Sequence, residues 1–78
     1  MPDVTVYITP FCAPCEQLKR FLIAHDVVFK VRDLMMDEDA QARLEARGIR
    51  STPALEVDGA IHAGDALSPD KVRALLGL

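Results

Sequence analysis

Val4-Thr5-Val6-Tyr7-Ile8-Thr9-Pro10-Phe11-Cys12-Ala13-Pro14-Cys15 passes from a strand pattern to a helix entrance within one short stretch and holds both cysteines of the chain. β-Branched residues dominate its first half, and Val4, Val6 and Ile8 alternate onto one face, which predicts a strand over 4–9. Pro10 ends any ladder because it has no N–H to donate. Pro14 is tolerated in a first helical turn, whose N–H groups have no intrahelical partner. Beyond Cys15, Leu18, Phe21 and Leu22 recur at helical spacing opposite Lys19 and Arg20, so an amphipathic helix runs over 15–25 with Cys12 at its entrance.

His25-Asp26 breaks that pattern, and Val27-Val28-Phe29-Lys30-Val31-Arg32 predicts a second strand. Strand, helix and strand over this span form a parallel βαβ unit. Residues 33–36 connect to a second helix that opens on Asp37-Glu38-Asp39, where the positive helix end favours acids. Ala40, Leu44 and Ala46 are expected on its inner face, and Gly48 as its left-handed cap. Ile49-Arg50-Ser51-Thr52-Pro53 then leads to Ala54-Leu55-Glu56-Val57 and Ala60-Ile61-His62-Ala63, a hairpin joined by the two-residue turn Asp58-Gly59. Ser68 as cap and Pro69 at the first helical position announce a last helix with Val72, Leu75 and Leu76 as its stripe. The order is βαβαββα, an α/β chain with a four-stranded mixed sheet.

At 78 residues there is room for one core, and residues 1–78 are expected to form a single domain, a monomer. Half the residues are apolar and 27% charged, the balance of an ordinary globular chain. The net charge of −3 and the scattering of the nine basic residues give no footprint for nucleic acid. No apolar run is long enough to span a membrane. Met1-Pro2-Asp3-Val4 lacks the basic start and apolar stretch of a secretory signal, so a cytoplasmic location is expected.

Cys12 and Cys15 are the only cysteines. A disulfide between them closes too short a loop to serve as a staple, and a reducing compartment disfavours a purely structural bridge. A zinc site needs two further ligands, and only His25 and His62 are at hand, without the usual paired spacing. Redox exchange fits best, with a metal or iron-sulfur module built on Cys12 and Cys15 as the reading from another class. The attacking species is the thiolate, and a helix N-terminus stabilises it through the dipole and free N–H groups. Cys12, at the entrance, is therefore the expected nucleophile, and Cys15, one turn in, the expected resolving thiol. His25 is expected in solvent at the helix end, and His62 on the exposed side of the hairpin.

A C-x-x-C at the first helix, a βαβ unit, Ser51-Thr52-Pro53 opening the third strand, and a closing hairpin and helix together resemble the thioredoxin fold. The resemblance is closest to the glutaredoxins and glutaredoxin-like redoxins, and it covers nearly the whole chain. It implies a three-layer α/β architecture and a dithiol-disulfide oxidoreductase without a resident cofactor or metal, acting on a disulfide-containing protein. It also implies a cis Thr52-Pro53 bond beside the disulfide, with Thr52 and Pro53 as a substrate shelf and Phe11, Gly64 and Asp65 as further substrate-binding residues. Phe11 precedes Cys12 where thioredoxin proper carries tryptophan, and Thr9-Pro10-Phe11 stands where glutathione-using members carry lysine. Gly64-Asp65 matches in part their glycine-rich, acidic turn. The electron donor, a reductase or glutathione, is accordingly left open, with a glutathione-dependent glutaredoxin as the nearest alternative.

Overall fold

The computed structural model describes residues 2–78. Its elements follow in the order β1 (Val4–Ile8), α1 (Ala13–Ala24), β2 (Lys30–Asp33), α2 (Glu38–Glu45), β3 (Ala54–Val57), β4 (Ala60–Ala63) and α3 (Pro69–Leu76), with a 3-10 turn at Gly64–Leu67. The sheet order is β2-β1-β3-β4; β1 runs parallel to β2 and antiparallel to β3, and β3 antiparallel to β4. This is the expected βαβαββα arrangement. The hairpin register pairs Val57 with Ala60, leaving Asp58 and Gly59 as the turn, both at positive φ as a type I′ turn requires.

Strand alternation divides the core into two. Val4 and Val6 with Leu55 and Val57 form one face, covered by Leu18 and Leu22 of α1 and Val72 of α3. Tyr7 and Ala54 face the other way, against Ala40 and Leu44 of α2. Three layers result, and the sheet in the middle is buried on both sides. Leu22 and Leu55 are both 0% exposed, so truncating either to alanine costs about 2–5 kcal/mol, a large share of the stability of so small a domain.

All three helices close with the same device, in which a left-handed residue turns the chain and two N–H groups reach back to the last carbonyls. After α2, Gly48 N–H donates to Glu45 and Ile49 N–H to Leu44, and the Ile49 side chain packs in the cluster that contains Leu44. After α3, Gly77 and Leu78 donate to Ala74 and Arg73. After α1, Asp26 and Val27 donate to Ile23 and Leu22, but here the left-handed residue is an aspartate at φ 57°.

Several local expectations are corrected. β2 begins at Lys30 rather than Val27, because its ladder starts opposite Thr5 and the same register carried back would set Val27 against Pro2, which has no N–H. Val27 and Phe29 still pack against the core, while Val28 is exposed. Ala46 is exposed, since two residues beyond Leu44 turn it about 200° around the helix axis. Ser68 occupies the position before α3 but makes no capping bond with its side chain; its carbonyl accepts from Val72 N–H. His62 is half-buried, because it pairs with Leu55 and so faces the α1/α3 layer.

Asp26 carries two penalties at once: a side chain in a left-handed backbone position and a negative charge at the negative end of a helix. Asp26→Gly is expected to stabilise the protein by about 0.5–1 kcal/mol, read as a rise in Tm of about 3–6 °C. A fall in Tm would show that the aspartate makes a compensating contact.

Candidate active site

Cys12 has extended backbone angles, φ −108° and ψ 103°, and is the residue from which α1 starts. Its sulfur accepts from the backbone N–H of Cys15 at 3.1 Å, taking the place that a serine or aspartate oxygen commonly fills at a helix start. Cys12 and Cys15 are joined as a disulfide with their Cα atoms 5.2 Å apart. Cys15 is 1% exposed and forms part of the core, whereas Cys12 is half-buried. Phe11, just before, is fully exposed at a positive φ of 57°, a conformation that a bulky residue rarely adopts.

The antiparallel pairing of β1 with β3 sets Tyr7 opposite Ala54, so the chain leaving β1 passes the chain entering β3. Thr9 and Thr52 meet there, with their hydroxyl oxygens 2.8 Å apart, and the Thr52 hydroxyl donates to Cys12 Sγ at 3.8 Å. The Thr52-Pro53 peptide bond is cis. Beside the dithiol lies a groove of about 410 Å³. Pro14, Gln17 and Phe21 of α1 form one wall, Ser51, Thr52 and Pro53 another, and the buried Leu18 and Val72 the floor. Gly64, at φ 62°, Leu67 and Pro69 close its far side.

Thus Thr52, Pro53 and Gly64 of the expected residues line one groove next to the cysteines, while Phe11 and Asp65 do not line it. Asp65 is exposed, and its backbone carbonyl accepts from Lys71 Nζ at 3.1 Å. Of the other groove walls, Phe21 was legible in sequence only as part of the apolar stripe of α1 and Pro69 only as the start of α3, while Gln17 and Leu67 carried no signal. Among the described residues no group of three or more histidine, cysteine or acidic side chains is placed to share a metal ion. No described helix is long and apolar enough to cross a membrane.

Charges near the cysteines are compensated. Glu16, beside Cys15, pairs with Lys19 at 2.8 Å on the surface of α1. The stronger network lies on the opposite face of the sheet. Tyr7 donates its hydroxyl to Glu56 Oε1 at 2.5 Å, and Arg43 of α2 grips both oxygens of the same carboxylate at 2.9 and 3.2 Å. Arg32 stacks over the Tyr7 ring and holds Asp37 with two bonds, while Asp37 accepts from Ala40 N–H at the start of α2. The Arg43 guanidinium holds the Glu56 carboxyl below its ordinary value, Arg32 does the same for Asp37, and burial, aided by the neighbouring Glu56, pushes the Tyr7 phenol up.

A mixed four-stranded sheet between helical layers, with a C-x-x-C disulfide at the entrance of the first helix and a cis-proline beside it, defines a thioredoxin-fold dithiol protein. The chain belongs to the glutaredoxin family, whose sequence model matches residues 4–62. Among solved structures, the thioredoxin-like protein BC3987 is 32% identical with a TM-score of 0.82, over 94% of this chain and 99% of its own. A point mutant of that protein gives 33%, 0.83, 95% and 99%. The glutaredoxin-like protein NrdH-redoxin from Escherichia coli, described as having a thioredoxin-like activity profile, is 23% identical with a TM-score of 0.83, over 94% and 93% of the two chains, and bears on the fold. No curated protein sequence matches significantly. The family and the paired cysteines together support thiol-disulfide oxidoreductase chemistry.

The depressed Glu56 and Asp37 carboxyls favour the folded state when ionised. Their contribution is complete above the ordinary carboxylate range of about 4 and is lost as pH falls through their lower folded values. Thermal denaturation between neutral pH and pH of about 3 should show a falling Tm, and Glu56→Gln should lower Tm at neutral pH and flatten that fall. An unchanged slope in the variant would mean that other carboxylates set the acid limit.

Proposed function

We propose that this protein is a dithiol-disulfide oxidoreductase that reduces a disulfide in a protein partner, with Cys12 as the attacking sulfur and Cys15 as the resolving one. The observation that carries this reading is the unequal setting of the two sulfurs: Cys12 is the more accessible and receives two donors, while Cys15 is enclosed beneath it. The Cys12 thiolate attacks one sulfur of the partner disulfide and forms a mixed disulfide, expelling the other sulfur as a thiolate that takes up a proton. The Cys15 thiolate then attacks Cys12, the partner's remaining sulfur leaves and is protonated, and the Cys12–Cys15 bond holds the two electrons' worth of oxidation. A dithiol reductase or two glutathione molecules reverse that bond and reset the pair.

The groove walled by Thr52 and Pro53 supplies the place for an extended partner segment, pairing with the Thr52 backbone as a short strand addition. Gly64 borders the same groove, and Asp65 is the adjacent charge for a partner's basic group or a free amine. Phe11 supplies an apolar contact on the other side of the dithiol. The chain acts as a single-domain monomer in a reducing compartment, the cytoplasm.

Cys12→Ser is expected to abolish disulfide reduction, and Cys15→Ser to accumulate mixed disulfides resolved on adding a reductant. Equal residual turnover in the two variants would overturn the roles. Offering the oxidised protein glutathione with its reductase, or a thioredoxin reductase, identifies the donor by which pair consumes nicotinamide cofactor. Phe11→Ala should raise KM for a protein disulfide about fivefold or more, with a small aromatic disulfide turned over as before and stability changed by less than about 0.5 kcal/mol. Equal loss on both substrates would remove Phe11 from partner binding.

A further inference from the structure

Among the described residues two hydrogen-bond donors reach Cys12 Sγ: the Cys15 N–H at 3.1 Å and the Thr52 hydroxyl at 3.8 Å. A hydroxyl has one proton to give. With that of Thr52 directed at sulfur, the 2.8 Å contact between Thr52 and Thr9 has Thr9 donating and Thr52 accepting. Both contacts are satisfied together only in the order Thr9 to Thr52 to Cys12. Both threonines are half-buried, and their β-branched side chains have few rotamers, so neither hydroxyl is free to swing away cheaply.

We propose that Thr9 is a positioning residue for the attacking sulfur: it fixes and polarises the Thr52 hydroxyl so that this second donor stabilises Cys12 in its reduced, anionic form. The inference rests on Cys12 being the attacking thiol. A disulfide sulfur is a weak acceptor, in keeping with the length of the present contact, whereas a thiolate is a full anion to which a hydroxyl donates strongly. Donation from Thr9 makes the Thr52 proton a better donor, since hydrogen bonds in a chain polarise one another. The gain accrues to the reduced state alone, so the chain both increases the thiolate fraction of Cys12 and shifts the dithiol-disulfide equilibrium toward the dithiol. Of the charged groups close in sequence to the site, Glu16 and Lys19 on α1 pair with each other, and neither they nor Arg20 on α1, Asp33 at the end of β2, Arg50 ahead of Thr52 or Asp65 after β4 is hydrogen-bonded to the sulfur.

The test uses the Cys15→Ser protein, in which Cys12 is the only thiol and its ionisation is followed by thiolate ultraviolet absorbance. Adding Thr9→Val, which keeps the shape and removes the hydroxyl, should weaken the acidity of Cys12 about two- to fivefold. Thr52→Val should weaken it roughly tenfold, the worth of one charge-assisted bond, and Thr9→Ser should restore the parent titration. In the two-cysteine protein, Thr9→Val should shift the equilibrium with the glutathione couple toward the disulfide by a similar factor. An unchanged titration in Thr9→Val, with Tm lowered or not, would make the Thr9–Thr52 bond a tie between two loops and overturn the proposal; so would an equal shift in Thr9→Ser. These titrations need no partner, so their outcome is separate from the trapping experiment that decides which sulfur attacks.

Discussion

The molecule depends above all on the antiparallel pairing of β1 with β3. β1 is held on both sides, by β2 in parallel and by β3 in antiparallel, and it is buried on both faces. Because Tyr7 lies opposite Ala54, the residues that follow β1 and those that precede β3 must share one end of the sheet. α1 has to begin at that end in order to return across the sheet and deliver β2 in parallel. The helix entrance, the cysteine at it and the Thr52-Pro53 bond are thus brought together by strand order alone, across a sequence separation of 40 residues between Cys12 and Thr52.

The face away from the cysteines secures that pairing. Glu56 in β3 receives Tyr7 from β1 and Arg43 from α2, so one carboxylate joins two strands and the helix beneath them. Arg32 and Asp37 extend the same set of contacts to β2 and to the first turn of α2. A buried carboxylate is costly unless fully paired, and here no buried side-chain polar atom among the described residues lacks a partner. The consequence is an α2 layer tied to both central strands, while the groove next to the cysteines lies on the α1/α3 side.

Much of the fold was legible because its signals are local. Alternation marked β1, helical spacing marked α1 and α3, and Asp58-Gly59 marked the hairpin, each with its own stereochemical reason. What escaped depends on partners far away in sequence. The start of β2 is set by what stands opposite it in β1, and the side of the hairpin that His62 faces by a register that sequence leaves implicit. Thr9 was legible only as the absence of a lysine; its bond to Thr52 spans 43 residues. The cysteine pair and the proline before β3 were legible through a motif, but the groove beside them was not, because Leu18, Phe21 and Val72 read by pattern as core and Gln17 as ordinary helix surface.

Tyr7 brings one last consequence. The sequence contains a single tyrosine and no tryptophan, so the tyrosine-band fluorescence of the chain comes from one phenol, 1% exposed and bonded to a carboxylate. Such a phenol is sensitive to the loss of its partner, and it sits in the strand on which both halves of the sheet are assembled. The protein therefore carries its own optical reporter of whether β1, β3 and α2 remain joined, without an added label and away from the sulfur chemistry at the other face.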